Sequence, residues 1–471
     1  MNSGELCFLS AGQLSRLIQN KEISPVEVVR AHLARVEKLE PQLSSFITLL
    51  SNEAMSEARK AEEEIRKGRY RGPLHGIPVA VKDLFSVKGV RNTLGSRIFD
   101  RSIADVDSTL IARLKKAGAI LLGKLNMNPL AYGPIAKEGD YDYGHMHNPW
   151  NPEYISGGSS GGSGSATASG QVTFALGSDT GGSVRIPCAL CGLVGLKPTY
   201  GRLSRHGLAT LSWSLDHAGP MTRTVEDCAL VMNAMAGFDS KDPSSAKTPV
   251  PDYTKVLTGD IRGLTVGIPK EYFEVPVDPQ VRHSVLQAMD KLEELGATVS
   301  EVSWPLYSYY ESISTILLIA EGTASHRKLV CEKGSGLYDP LRLRLEAGFF
   351  ISAPDYIQAQ QARVLFNQQS LDLFDEVDLL AGPTTPIVAT KIGVSDVTID
   401  NTNMGVIAAH TQYTSSFNLN GFPAITLPCG FSEGFPIGLQ LVGRPFDEET
   451  VLRTAHAYEQ TTEWHKRKPP L

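Results

Sequence analysis

Cysteine, basic clusters and long apolar runs are all scarce in this sequence, and each shortage removes a class of protein. Six cysteines (Cys7, Cys188, Cys191, Cys228, Cys331, Cys429) in 471 residues are too few for a disulfide framework, and their mostly apolar neighbours predict reduced, buried thiols. No stretch of about 18 uncharged apolar residues occurs. The opening MNSGELCFLSAGQLSRLIQNKEIS also lacks the charged start and continuous apolar run of a signal peptide. A cytoplasmic chain without a membrane span is therefore expected. Lysine and arginine (45) are outnumbered by aspartate and glutamate (51), a net charge of −6. With no basic cluster evident, direct nucleic-acid binding is not expected, because phosphate binding needs a concentrated basic footprint. A tRNA handled by a partner subunit stays compatible with that balance.

What the chain does contain is 43 glycines, 28 prolines and 42% hydrophobic residues, the composition of a folded protein with a sizeable core. The first 70 or so residues read as helices. Ser24-Pro25-Val26-Glu27 combines an N-cap serine, proline at the first helical position and a capping glutamate, and Val29, Leu33 and Val36 follow at helical spacing. Beyond Gly76 come short apolar runs at 76 to 84, 119 to 127 and 171 to 180, which read as strands buried on both faces. Helical patterns at 107 to 118 and 224 to 237 separate or follow them, and this alternation implies an α/β sheet. Residues 241 to 254, rich in Pro, Ser and Asp, read as a surface excursion. A strand-like run at 264 to 273, a helix from about Asp278 to Leu295, and strands at 377 to 386, 424 to 429 and 437 to 442 complete the reading.

Two glycine-rich stretches stand out: GGSSGGSGSATASG (157 to 170) and GSDTGGSVRIP (177 to 187). A Gly/Ser segment alone reads most simply as a linker. These two border strand-like sequence in mid-chain and lie close together, which suggests backbone N–H groups presented to a ligand. The phosphate-loop pattern fails because Ser163 stands where lysine is needed, and the dinucleotide pattern fails at Thr167. Gly-x-Ser-x-Gly is met at Ser159 and at Ser160, which keeps an α/β-hydrolase with His410 or His456 as base in view. Cys188-x-x-Cys191 has no second ligand pair and apolar neighbours, so it reads as a core turn; no metal or cofactor is expected. His145 and His147 read as loop residues or pocket walls.

Lys82 ends the apolar run Gly76-Ile77-Pro78-Val79-Ala80-Val81. It could reach solvent or pair with Asp83. In a parallel α/β sheet, however, functional groups collect at strand carboxyl ends, and a buried lysine can be neutral enough to activate a serine. Lys82 with the serines of GGSSGG and DTGGS, together with GKLNM, NPWNP, CGLVGLKPTYGR, SLDHAGPMTRTVED, GPTTP and NLNGFPAITLP, resembles the amidase signature family over most of the chain.

That resemblance implies an α/β fold, a central mixed β-sheet covered by helices on both faces. It implies a single domain over 1–471, with an N-terminal helical segment (1–70), a catalytic core (71–240), a variable substrate-pocket region (241–370) and a C-terminal part of the core (371–471). By family position Ser183 is the nucleophile, Ser159 relays its proton from a cis peptide bond, and Lys82 is the base. Backbone N–H groups of Thr180, Gly181, Gly182 and Ser183 are candidates for the oxyanion hole. Ser160, Asp179 and Arg185 are supports, and Gly133 and Pro134 line the substrate pocket. A free-standing amidase acting on small amides, with anilides, esters or carbamates as further candidates, is the first expectation. The A subunit of a tRNA-dependent amidotransferase, with partner subunits, is the second, and a non-enzymatic binding protein the third. A homodimer is left open. Three departures from the A subunit set this order: Thr411 stands near the position of its acidic residue, Arg342-Leu343-Arg344 replaces its paired arginines, and its Arg-Tyr-Gly segment is missing. Trp304, Tyr307, Tyr309, Tyr310, Ile316 to Ala320, Phe349 and Phe350 further predict an apolar or aromatic substrate.

Overall fold

The computed structural model describes residues 3–132 and 141–471. Gly133 and Pro134, expected in the substrate pocket, lie outside the described residues. An 11-stranded mixed sheet organises the chain. From edge to edge its strands are Phe46–Leu49, Ile120–Leu125, Pro78–Lys82, Phe174–Asp179, His217–Thr222, Val194–Lys197, Ala424–Ser432, Phe435–Gly443, Leu379–Pro383, Thr265–Pro269 and Thr298–Val302. Pro78–Lys82 pairs in parallel with both of its neighbours. The middle of the sheet, from Phe174–Asp179 through Phe435–Gly443, is antiparallel.

Both faces are covered, and residue alternation shows how. Successive side chains of a strand point to opposite faces. Val79 and Val81 join a core cluster with Leu110, Ile111 and Leu114 from the Thr109–Lys116 helix and Ala229 and Met232 from the Val225–Met235 helix. Ala80, between them, packs with Val29, Ala58 and Ala166 from the helices Pro25–Leu43, Ser51–Arg66 and Gly161–Ala168. Small residues on that second face let its helices approach closely. Ser24 and Glu27 form the capping box read from the sequence. The three apolar runs and the two helical patterns between Gly76 and Gly237 form elements a few residues shorter than their patterns.

The region 304 to 351 differs from its reading. Trp304 and Tyr307 build a second core, buried with Ile313, Leu317, Phe366 and Phe417, with the Trp304 and Phe366 rings 5.2 Å apart, whereas Tyr310, Leu318 and Ile319 do line a pocket. Tyr309, Phe349 and Phe350 are instead exposed. Three helices, Tyr310–Lys333, Asp339–Ala347 and Ala353–Asp372, carry this layer. Five of the six cysteines are buried; Cys331 is exposed, and all are free. Among the described residues no helix is long and apolar enough to cross a membrane.

Candidate active site

The two glycine-rich stretches meet at the carboxyl end of the Pro78–Lys82 strand. The first is no linker: its residues 161 to 168 form a fully buried helix. Glycine is required there by contact, since a Cβ on Gly162 would lie 2.5 Å from the Asn126 carbonyl and 2.6 Å from that of Ser45. Just before it, the Gly158–Ser159 peptide bond is cis. Lys82 Nζ lies 2.7 Å from Ser159 Oγ and 2.9 Å from Ser178 Oγ. Asp83 turns away from Lys82, its carboxylate 2.8 Å from Lys124 Nζ and accepting from Thr93 N–H.

Lys82 is wholly buried. Burial lowers its ammonium to about 7, against the opposing charges of Asp179 and Asp216. Asp216 is itself pushed up to about 6 by burial, although Thr180 Oγ1 donates to it at 2.7 Å. A buried amine that is partly neutral at pH 7, in contact with a serine hydroxyl, can accept a proton.

The second stretch wraps around Asp179. Its carboxylate accepts from the N–H groups of Gly182 (2.8 Å) and Val184 (3.1 Å), from Arg185 Nε (3.0 Å) and Nη2 (2.9 Å), and from Asn418 Nδ2 (2.8 Å). Burial alone would raise this carboxyl, but Arg185, Lys197 and Asn418 outweigh it and hold it well below the usual carboxylate range. Arg185 also donates to Gln440 and to Asn418. The peptide between Gly181 and Gly182 is held at both ends, because Thr414 and Ser415 hydroxyls donate to the Gly181 carbonyl. The Gly182 N–H is thus committed to Asp179 rather than to a substrate oxygen, leaving Thr180, Gly181 and Ser183 as candidate donors. At Gly182 (φ +128°) a Cβ would also strike Thr414.

Ser183 is partly exposed and lines a small inner pocket of about 70 Å³ with Tyr132, Gly158, Arg344 and Thr411. This pocket shares walls with an outer one of about 390 Å³, bounded also by Tyr310, Leu318 and Ile319. Ser160 Oγ donates to the Ser178 carbonyl (3.1 Å), a structural bond. The ring nitrogens of His410 are buried without hydrogen-bond partners, and His456 forms no hydrogen bond to either glycine-rich stretch, so neither is placed as a base for Ser159 or Ser160. Cys188 and Cys191 are buried in the Arg185–Cys191 helix.

Several residues of this site escaped sequence reasoning. Ser178 and Asp216 sit inside motifs that attracted notice, GSDTGGS and SLDHAG, and Asn418 begins NLNGFP. Tyr132 carried no signal. Its hydroxyl is buried without a partner, and the Arg344 guanidinium lies 5.0 Å from its ring centroid.

A lysine–serine pair under a glycine turn, on a mixed sheet, matches an α/β enzyme of the amidase signature class. The chain belongs to the Amidase family, whose model matches residues 27–452, and it is an enzyme acting on amide C–N bonds. It is 42% identical to the A subunit of a glutamyl-tRNA(Gln) amidotransferase from Chloroflexus aggregans, covering 99% of each chain. Among solved structures it is 34% identical, with a TM-score of 0.92, to a vestigial protein complex described as revealing the origins of an s-triazine catabolic enzyme, over 96% of this chain and 98% of that one. A bacterial aryl acylamidase of the amidase signature family shares 28% identity and a TM-score of 0.89, over 98% of each chain.

Proposed function

We propose that Ser183 attacks the amide carbonyl, passing its proton to Ser159 Oγ while Ser159 passes its own to neutral Lys82. The tetrahedral oxyanion is met by N–H groups drawn from Thr180, Gly181 and Ser183; one such donor is worth about 2.7–4 kcal/mol. Collapse breaks the C–N bond, and the proton stored on Lys82 returns through Ser159 to the departing nitrogen. Water then opens the Ser183 ester by the same relay. The observation that carries this reading is the buried Lys82 amine 2.7 Å from Ser159 Oγ.

The full-length likeness to an amidotransferase A subunit favours ammonia release in partnership with other subunits, so that reading now stands ahead of the free-standing amidase. A free-standing enzyme keeps specific support from position 411. Arg344 supplies the pocket with a cation suited to a substrate carboxylate, whereas the Thr411 hydroxyl donates to the Ile407 carbonyl and offers no charge to an α-ammonium group.

Kinetics on the purified single chain with glutamine and with glutaramate, the same carboxamide and carboxylate without the ammonium, separate the two. Glutaminase activity that appears only with co-purified partner subunits supports the first. Turnover of glutaramate at least tenfold above glutamine, without partners, supports the second. In either case Ser183→Ala should abolish turnover and fluorophosphonate labelling while leaving the melting temperature unchanged; persistent labelling would reject the nucleophile.

A further inference from the structure

A second cavity, of about 460 Å³, opens at the far ends of the two helices that frame the active site. Gly161–Ala168 and Arg185–Cys191 begin beside Ser159 and Ser183, whereas Ala168 and Cys191, where they end, line this cavity. Eight residues of helix rise about 12 Å, which sets its approximate separation from the triad.

Positive charge gathers at its wall. Arg223 is 8% exposed. Its Nη1 donates to the carbonyls of Thr167 (3.2 Å) and Val172 (3.1 Å), and its Nη2 to that of Leu9 (2.7 Å). Its buried Nε has no hydrogen-bond partner. The Phe8 ring is faced by three cations: Lys468 at 4.6 Å, Arg35 at 4.7 Å and Arg223 at 5.9 Å. The nearby carboxylates are already engaged. Glu226 pairs with Arg16 and Glu463 with Lys466, and Asp227 accepts the N–H groups of Ala11 and Gly12. Glu459 accepts from Val225 N–H, and burial raises it to about 8, so it is largely uncharged at neutral pH.

Helix capping explains part of this. Arg223 and Arg35 donate to the Thr167 and Ser169 carbonyls at the end of the Gly161–Ala168 helix. A helix C-terminus carries only about half a negative charge, however, and with the Asp227 charge acting on Arg223 it still leaves Arg35 and Lys468 largely uncompensated. The basic run His465-Lys466-Arg467-Lys468, not singled out in the sequence, acquires its meaning from folding back onto this wall.

We infer that this cavity binds a phosphate-bearing small molecule, its phosphate between Arg223 and Lys468 and its organic part against Phe8 and Trp150. Three of the five guanidinium N–H groups are taken by carbonyls. The two that remain, on Nε and Nη2, together with a lysine point charge suit the divergent oxygens of a phosphate. The volume is that of a small-ligand site. The assignment is independent of the amide chemistry.

Titration of the full chain at low ionic strength with inorganic phosphate and with adenosine 5′-monophosphate, by calorimetry and thermal shift, tests it. Saturable binding of the ester is expected, at least about tenfold tighter than phosphate. Lys468→Gln, on the exposed tail, should weaken it at least tenfold and Arg223→Gln should abolish it, while Ser183→Ala binds as the parent does. If Arg223→Gln does not fold, Lys468→Gln decides. No saturable binding of either probe, or unchanged affinity in Lys468→Gln, would overturn the site; equal affinity for phosphate and ester would overturn its organic half.

Discussion

An amine withdrawn from water loses the hydration that stabilises its cation, and Lys82 shows the chemical consequence. Its neighbours are hydroxyls, and the carboxylates Asp179 and Asp216 only partly restore the charged form, so its ammonium settles near 7. The base works when neutral. The kcat/KM profile should therefore rise with pH through a single limb centred near 7 and level above it, and Lys82→Ala should lower amide hydrolysis by about 10²–10⁴-fold. A flat profile between pH 5.5 and 8.5 would remove Lys82 as base. The same shift acts on stability. Between about 7 and the ordinary lysine value of 10.5 the unfolded chain binds the extra proton, so this group's contribution to unfolding free energy rises with pH across that window. Lys82, Ser159 and Ser183 could be picked out in the sequence because motifs surround them. Arg344 stands out in the sequence only as part of the altered arginine segment and Tyr132 not at all, since their contact at the pocket wall joins residues far apart in the chain.

At the scale of elements, the Gly161–Ala168 helix is the least expected piece of the fold. Glycine and serine weaken a helix in isolation, and its composition alone reads as a linker, although its place between strand-like runs argues against one. Gly162 lets the chain press against Asn126 and Ser45, and Gly157 against Pro187, and still turn into a helix. Gly162→Ala should accordingly cost about 1–3 kcal/mol by overpacking and lower kcat by displacing Ser159, measured by urea denaturation and by steady-state kinetics. An unchanged midpoint would mean that the Asn126 segment yields freely. The aromatic run after Trp304 erred in the opposite direction. Trp304 and Tyr307, which look like a ligand wall in one dimension, are in the folded chain the packing between the Tyr310–Lys333 and Ala353–Asp372 helices and the sheet, whereas Tyr310, Leu318 and Ile319 do bound the outer pocket.

Across the whole molecule, the turn that carries Ser183 is tied to distant sequence. Arg185 binds Asp179 six residues away and Gln440 255 residues away, and Asn418 closes the set. All four groups are buried, so the network either holds together or leaves a charge stranded. Arg185→Met should cost about 3–5 kcal/mol, seen as a fall in the denaturation midpoint, and should impair catalysis through the loosened Gly181–Gly182 peptide. Adding Asp179→Asn should recover part of that loss, because the stranded carboxylate is removed. A double variant no more stable than the single one would show that hydrogen bonds, rather than charge, dominate.

Local pattern determined much of this protein. Apolar runs, capping residues and glycine-rich motifs located seven of the eleven sheet strands, though not the central Val194–Lys197 and His217–Thr222, with several helices and the lysine and serines, because each depends on neighbours within a few positions. Only the tertiary structure decided which N–H groups remain as candidates for an oxyanion, that Asp83 serves Lys124 instead of Lys82, that Trp304 and Tyr307 form core while Tyr310 reaches the pocket, and that the basic tail meets Arg223. Each of those outcomes depends on groups dozens to hundreds of residues apart competing for the same hydrogen bond, charge or volume, and that competition has no signature in the linear order.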